Sequence, residues 1–160
     1  MRVREIMRSE VEHGTRGMDL ASAAMIMWRQ DCGIVPILDE RERIVGVITD
    51  RDICMAVTMG GRPPGAITVD EVMSAAPHTV RPDSDVRSAL GVMRDRQIRR
   101  LPVTDAEGRL RGMLSLSDVV LHLRTRRGET TAEADATEIL RVLHRIVEPR
   151  ETPAAVVARS

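Results

Sequence analysis

A chain of 160 residues that is 42% hydrophobic can bury a core, as one domain or as two small subdomains sharing one, and this excludes a disordered protein. Its 24 basic and 24 acidic residues balance to a formal charge of zero, which excludes the basic excess of a dedicated nucleic-acid binder or membrane-surface protein. With no Phe, no Tyr and a single Trp, Trp28, the core is expected to be aliphatic, with the ten Met as filler.

All the basic residues are Arg, which reads as a codon bias of the source genome, with bidentate phosphate binding reserved for a few of them at most. Cys32 and Cys54 are too far apart for a metal knuckle, and buried or half-buried thiols in a reducing compartment are expected. Without a leader-like start or an apolar run approaching 18 residues, the chain is expected to be cytoplasmic, with no membrane partner.

In chain order, a short lead "VREIM" precedes a helix capped by Asp19, "LASAAMIMWRQ". Two strands follow, "IVPIL" and "IVGVIT", joined by the charged turn "DERER", and then a helix "DRDICMAVT". A linker, "MGGRPPGA", leads to a second lead "VDEVM", an extended "HTV" and a helix "VRSALGVMRDRQ" capped by Asp85. Val86, Leu90 and Met93 recur in that helix at helical spacing. Strands "RLPVT" and "RLRGMLS", joined by "DAEG", and a helix "LSDVVLHLR" close the second half. After the polar hinge "TRRGETT", the stretch "AEADATEILRVLHRIV" is expected to form an amphipathic helix with Ile139, Leu140, Leu143, Ile146 and Val147 on one face, ended by Pro149 and followed by a frayed tail.

The two halves are one unit written twice. A shift of 66 residues lays 3–58 over 69–124 without a gap, with 12 identities in 56 pairs. These include Val3/Val69, Glu5/Glu71, Met7/Met73, Asp19/Asp85, Pro36/Pro102, Asp39/Asp105, Gly46/Gly112 and Asp52/Asp118, positions of turns, caps and prolines. The organisation expected is a first unit over 1–60, a linker over 61–68, a second unit over 69–125, and a hinge, helix and tail over 126–160.

With "VPIL" and "LPVT" in the middle strands and G-h-h-[T/S]-x-x-D written as "GVITDRD" and "GMLSLSD", each ten residues after its proline, the doubled unit resembles a tandem CBS-domain pair, often called a Bateman module. The likeness covers residues 3–124 and is closest to the small stand-alone bacterial CBS pairs. It implies an α+β fold of two β-α-β-β-α units related by pseudo-twofold symmetry, two clefts between them, and a homodimer built through the CBS units. It also implies an adenosine nucleotide (AMP, ADP or ATP, with NAD, S-adenosylmethionine and cyclic dinucleotides as other family ligands), no required cofactor, and magnesium only as the companion of a triphosphate.

A nucleotide site needs an apolar slot for the base, a carboxylate for the ribose hydroxyls and donors for phosphate. Asp52 and Asp118 match the family's ribose-binding aspartate. Thr49 and Ser115 stand three residues earlier, where a hydroxyl, free N–H groups and the helix dipole face one anion, and Ser117 adds a hydroxyl in the second copy. A Thr or Ser followed by Asp at a helix start is equally a plain N-cap. Arg99 and Arg100 match basic phosphate-binding positions, although adjacent strand residues face opposite ways and only one is expected to reach the cleft. The first copy has Gly33 and Ile34 there, leaving Arg51, or an Arg reaching across the pseudo-dyad, to compensate. The second copy is therefore expected to be the better nucleotide site. The base slot is expected to draw on backbone and aliphatic side chains near Thr79, Val80, Leu101 and Pro102, with Gly33, Ile34, Val35 and Pro36 as counterparts.

An enzyme is disfavoured, because His13, His78, His122 and His144 are scattered and neither Cys has a nucleophile's neighbours. The alternative is a dimeric scaffold with vestigial clefts. Nucleic-acid binding through Arg124, Arg126 and Arg127 is disfavoured by the neutral chain and the missing aromatics. The effector protein is not named by any motif.

Overall fold

The computed structural model describes residues 1–125 and 130–148, with side chains outside 123–135. In the first half, β1 (Gly14–Thr15) runs parallel to β2 (Ile34–Leu38), which is antiparallel to β3 (Ile44–Thr49). In the second half, β5 (Arg100–Thr104) and β6 (Leu110–Ser115) form the matching hairpin, and Val80 bridges Val103 in parallel where β1 meets β2 in the first. Helices α1 (Leu20–Arg29) and α2 (Asp50–Gly60) pack on the first hairpin, α3 (Val86–Arg96) and α4 (Leu116–Thr125) on the second, and α5 (Thr130–Val147) follows.

Local chemistry accounts for the boundaries. Asp19 accepts from the Ser22 N–H at 2.8 Å and Asp85 from the Arg87 N–H at 2.9 Å, so both caps start their helices as expected. Both helices end on a residue with positive φ, Asp31 and its equivalent Gln97, without a glycine. Asp39 and Asp105 each accept from backbone N–H groups two and four residues on, closing both hairpin turns alike. These N–H bonds hold the Asp39 carboxyl below the usual carboxylate range. The linker is shorter than its composition suggests: α2 continues through Met59 and Gly60, and Gly61 takes the left-handed cap.

The leads are exchanged between the halves. Val3, fully buried, completes the core of the second half with Leu90, Met93, Leu101, Val103 and Leu114. Val69, equally buried, completes the first with Leu20, Ala23, Ile37 and Ile48. The bonds that hold them are equivalent under the 66-residue shift. The Val3 N–H donates to Ser84 O at 3.0 Å, as the Val69 N–H does to Met18 O at 2.7 Å, and Val86 N–H to Met1 O mirrors Leu20 N–H to Ile67 O, both at 3.0 Å. The second lead adds β4 (Ser74–Ala75) to the edge of β3, while Arg8 of the first lead pairs antiparallel with Met113 of β6.

Each lead is also folded by its glutamate. Glu5 accepts from the Arg2 N–H at 3.1 Å and Glu71 from the Thr68 N–H at 2.8 Å. The Arg62 guanidinium, with help from Thr68, holds the Glu71 carboxyl at about 2. The pseudo-dyad passes between Arg43 and its own equivalent Arg109, which bridge antiparallel, flanked by Ile44 N–H to Gly108 O and Leu110 N–H to Glu42 O.

The C-terminal helix does bury an apolar stripe on this body, but the stripe is Ile139, Val142 and Ile146 against α3 and α4. Leu140, Leu143 and Val147, expected on the same face, are exposed. In this orientation Arg94 on α3 grips Glu138 at 3.0 Å and Gln97 donates to Arg145 O at 2.9 Å, bonds that the apolar pattern does not register. Two other expectations are corrected. Cys54 is exposed, and of the methionines only Met27, Met93 and Met113 are buried, while Met25, Met55 and Met59 lie on the surface with Trp28, 83% exposed. Residues 126–129 of the expected hinge "TRRGETT", the side chains of Arg124, Arg126 and Arg127, and Pro149 with the tail lie outside the described residues, and the hinge's ends at Thr125 and Thr130 belong to α4 and α5.

Candidate functional site

Both G-h-h-[T/S]-x-x-D stretches fold into the same strand-to-helix junction. At the end of β3, the Thr49 N–H and hydroxyl donate to Asp52 Oδ2 at 2.9 and 2.7 Å, and the Asp52 N–H donates back to the Thr49 hydroxyl at 3.2 Å. At the end of β6, the Ser115 N–H and hydroxyl donate to Asp118 Oδ2 at 2.8 and 2.6 Å, and the Asp118 N–H returns the bond at 3.1 Å. Each is a reciprocal capping box, so the plain cap is present. It uses one carboxylate oxygen in each copy. The cap does not use the other oxygen, Oδ1, and an ionised carboxylate can accept from a vicinal diol through it.

The glycine that opens each motif is there for the exchanged lead. A Cβ on Gly112 would run into the carbonyl oxygen of Arg8, and one on Gly46 would stand 2.5 Å from the Met73 sulfur and 3.1 Å from Ser74 O. The motif thus combines a crossing point for the other half's lead with a carboxylate one helical turn beyond.

Beyond this point the two junctions differ. Arg8 stands over Asp118, with Nε 3.3 Å from Oδ1, and the Asp118 side chain is only 9% exposed. Its equivalent in the other lead is Ser74, and Oδ1 of Asp52 has no hydrogen-bond or ion-pair partner among the described residues. The residue after the junction hydroxyl also changes from exposed Asp50 to buried Leu116. The Asp50 carboxylate lies over Gly33, where a Cβ would meet Oδ2 at 2.7 Å, and it also accepts from the Arg51 N–H at 2.7 Å.

On the first half, a cavity of about 480 Å³ opens between the C-terminal end of α1 and the start of α2, a size that suits a small ligand. Met27, Trp28, Ile53 and Cys32 supply apolar wall, Asp31 and Asp50 supply carboxylates, and Arg100 reaches in from the second half. Arg100 is half-buried and Arg99 exposed, in keeping with the alternation of strand residues, but Arg100 faces first-half residues across the molecule.

The remaining singled-out residues divide by burial. Val35 and Leu101 are fully buried, Val80 is 9% exposed, and Pro36 and Pro102 are buried. Val35, Val80 and Leu101 belong to the two cores, which leaves their backbone as the part of these strands available to a base slot. Ile34 is half-buried, while Thr79, Ser117 and Arg51 are exposed near their junctions. Arg8, Asp31, Asp50 and Trp28 were not among the expected site residues. Trp28 carried a signal as the only aromatic, and Asp50 as an extra carboxylate in "TDRD". Arg8 carried none, because only the lead exchange brings it to Asp118. Among the described residues no three His, Cys, Asp or Glu side chains form a metal-holding cluster, and no helix is long and apolar enough to cross a membrane.

Two equivalent junctions on two half-units that complete each other's cores define a tandem module of interlocked repeats. The family model for the CBS domain matches residues 3–58 and again 69–125, and the chain belongs to the CBS domain family as a tandem pair. It is 34% identical over 124 residues to hypoxic response protein 1 of Mycobacterium tuberculosis, covering 75% of this chain and 83% of that protein. The crystal structure of that response protein, with two coordinated zinc ions, superposes with a TM-score of 0.70 at 30% identity over 76% of this chain and 98% of the other. MK0525 of Methanopyrus kandleri is 32% identical over 118 residues, 74% of this chain, which spans 60% of that relative's length. The CBS domain protein PAE2072 of Pyrobaculum aerophilum, solved in complex with AMP, shares the fold at a TM-score of 0.71 and 22% identity, covering 86% of this chain and 98% of that one.

Proposed function

We propose that this chain is a non-catalytic regulatory module that binds an adenosine nucleotide, of the AMP, ADP or ATP class, at the junctions between its two CBS units. The observation that carries this reading is the doubled capping box, which in each copy leaves one oxygen of Asp52 or Asp118 beyond the cap's own needs. A ribose diol fits that oxygen, and two arginines are offered as phosphate donors: Arg8 beside Asp118, and Arg100 in the first-half cavity that Asp50 also lines. No cofactor is required, and magnesium would enter only with a triphosphate. Support from relatives is the AMP complex of PAE2072, which shares the fold.

A signal requires that the ligand bind one arrangement of the two units better than another. The junctions suit this, because each lies beside the strand where the other unit's lead crosses. The output passes to an effector protein whose identity no residue here names.

Calorimetry with AMP, ADP, ATP, NAD and S-adenosylmethionine tests the reading. At least one is expected to bind below millimolar, and Asp118→Ala is expected to weaken AMP more than Asp52→Ala, since only Asp118 has an arginine on its free oxygen. If none binds, the module is a scaffold with vestigial clefts. One observation favours that second reading: the apolar surface of α1 and α2 around Met25, Trp28, Met55 and Met59 has no cover among the described residues, whereas α5 packs against α3, where Arg94, the equivalent of Trp28, grips Glu138. A second copy of the chain is the occupant proposed for it, in either reading.

A further inference from the structure

We propose that Arg8 is a phosphate-gating residue: a latch that occupies the Asp118 carboxylate when the second junction is empty and turns to the phosphate when a nucleotide takes its place. This inference rests on the nucleotide reading above and assigns a role to a residue outside the motif.

The backbone of Arg8 is fixed. Its N–H donates to Met113 O and its carbonyl accepts from the Met113 N–H, both at 2.9 Å, and glycine at 112 allows the two chains this close. Only the side chain is free to change partners, and it is 65% exposed. Its partner is the reverse, since Asp118 is 9% exposed and held by three bonds within its capping box. Asp118 Oδ1, the oxygen that remains for a ligand, is therefore the atom Arg8 covers. An exposed guanidinium is cheaply displaced, because such ion pairs contribute little net stability in water. Two hydroxyls of a ribose can replace one Nε–H, and the guanidinium released beside them matches a phosphate bidentately.

The latch therefore works against a nucleoside and in favour of a nucleotide. Both must break the ion pair, but only the phosphorylated ligand gives Arg8 a new anion. The first junction carries an internal control. Ser74 stands in the equivalent lead position, so Asp52 is unlatched and no lead arginine is delivered there.

The experiment is calorimetric titration of the full chain in an Asp52→Ala background, so that the second junction alone reports, with adenosine and with AMP, before and after Arg8→Ala. The backbone bonds to Met113 do not depend on the side chain, and an unchanged melting temperature checks that the lead stays in place. Removing Arg8 is expected to strengthen adenosine roughly 2–5-fold, the effect of an ion pair whose guanidinium is solvated, while weakening AMP by roughly 10-fold, with partial recovery of AMP in Arg8→Lys. Equal weakening of both ligands, or no change in either, would overturn the latch while leaving the nucleotide reading intact. If the native chain binds neither ligand, both fall together; if the native chain binds and the Asp52→Ala protein does not, the latch falls and the nucleotide reading stands at the first junction.

Discussion

At the residue scale, the identities between the halves mark places where a backbone has no alternative. Gly46 and Gly112 are conserved within the chain because the other unit's lead crosses against them, and the two crossings are unequally tight. At Gly112 the obstacle is the Arg8 carbonyl, which is backbone and part of a paired bridge. At Gly46 the nearest obstacle is the Met73 sulfur, the end of a flexible side chain that can move aside. Gly112→Ala is therefore expected to cost about 1–3 kcal/mol and Gly46→Ala about 1 kcal/mol or less. Urea denaturation of the two variants checks the ranking, and a larger loss at Gly46 would refute it. Asp52 and Asp118 show the other kind of residue-scale fact. Their identity was legible in the sequence together with their caps, but the difference between them, an arginine on one and none on the other, was not. Arg8 is 110 residues away from Asp118, and no periodicity links the two.

At the element scale, hairpins and helices followed their patterns closely because their determinants are local: a carboxylate cap, an Asx turn, an alternation, a 3.6-residue repeat. The failure was α5. Its sequence offers two overlapping apolar stripes, and hydrophobicity alone cannot choose between them. The observed choice turns Ile139, Val142 and Ile146 inward and is accompanied by polar grips at either end, Arg94 to Glu138 and Gln97 to Arg145 O. Val142→Ala is accordingly expected to destabilise the protein by about 2 kcal/mol, through two lost methyls and the cavity left behind, and Leu140→Ala by no more than about 0.5 kcal/mol. Equal losses in chemical denaturation would mean that the helix sits the other way round.

At the scale of the whole molecule, the two halves are not two domains laid side by side. Each contributes a lead to the other's core, and the dyad runs between Arg43 and Arg109, so neither unit has a complete core alone. The symmetry is broken on the outside. Trp28 stands where its equivalent Arg94 holds α5, and nothing in the described chain covers it. In the proposed dimer, Trp28 is the central apolar anchor of the bare face, the kind of residue whose truncation costs most. Light scattering after size exclusion is expected to give twice the chain mass for the native protein and a shift to monomer for Trp28→Arg. A Trp28→Arg protein that stayed dimeric would move the interface elsewhere.

The sequence by itself determined the repeat, the unit order, the helix caps, the turns and the paired carboxylates, because each of these depends on residues within a turn or two of one another. Tertiary structure decided which lead completes which core, which face of α5 is buried, and that Arg8 meets Asp118 while Asp52 stands open. Those outcomes depend on contacts between segments many tens of residues apart. Shape, backbone clearance at a glycine and competing polar partners settle such contacts, and a pattern along the chain records none of the three.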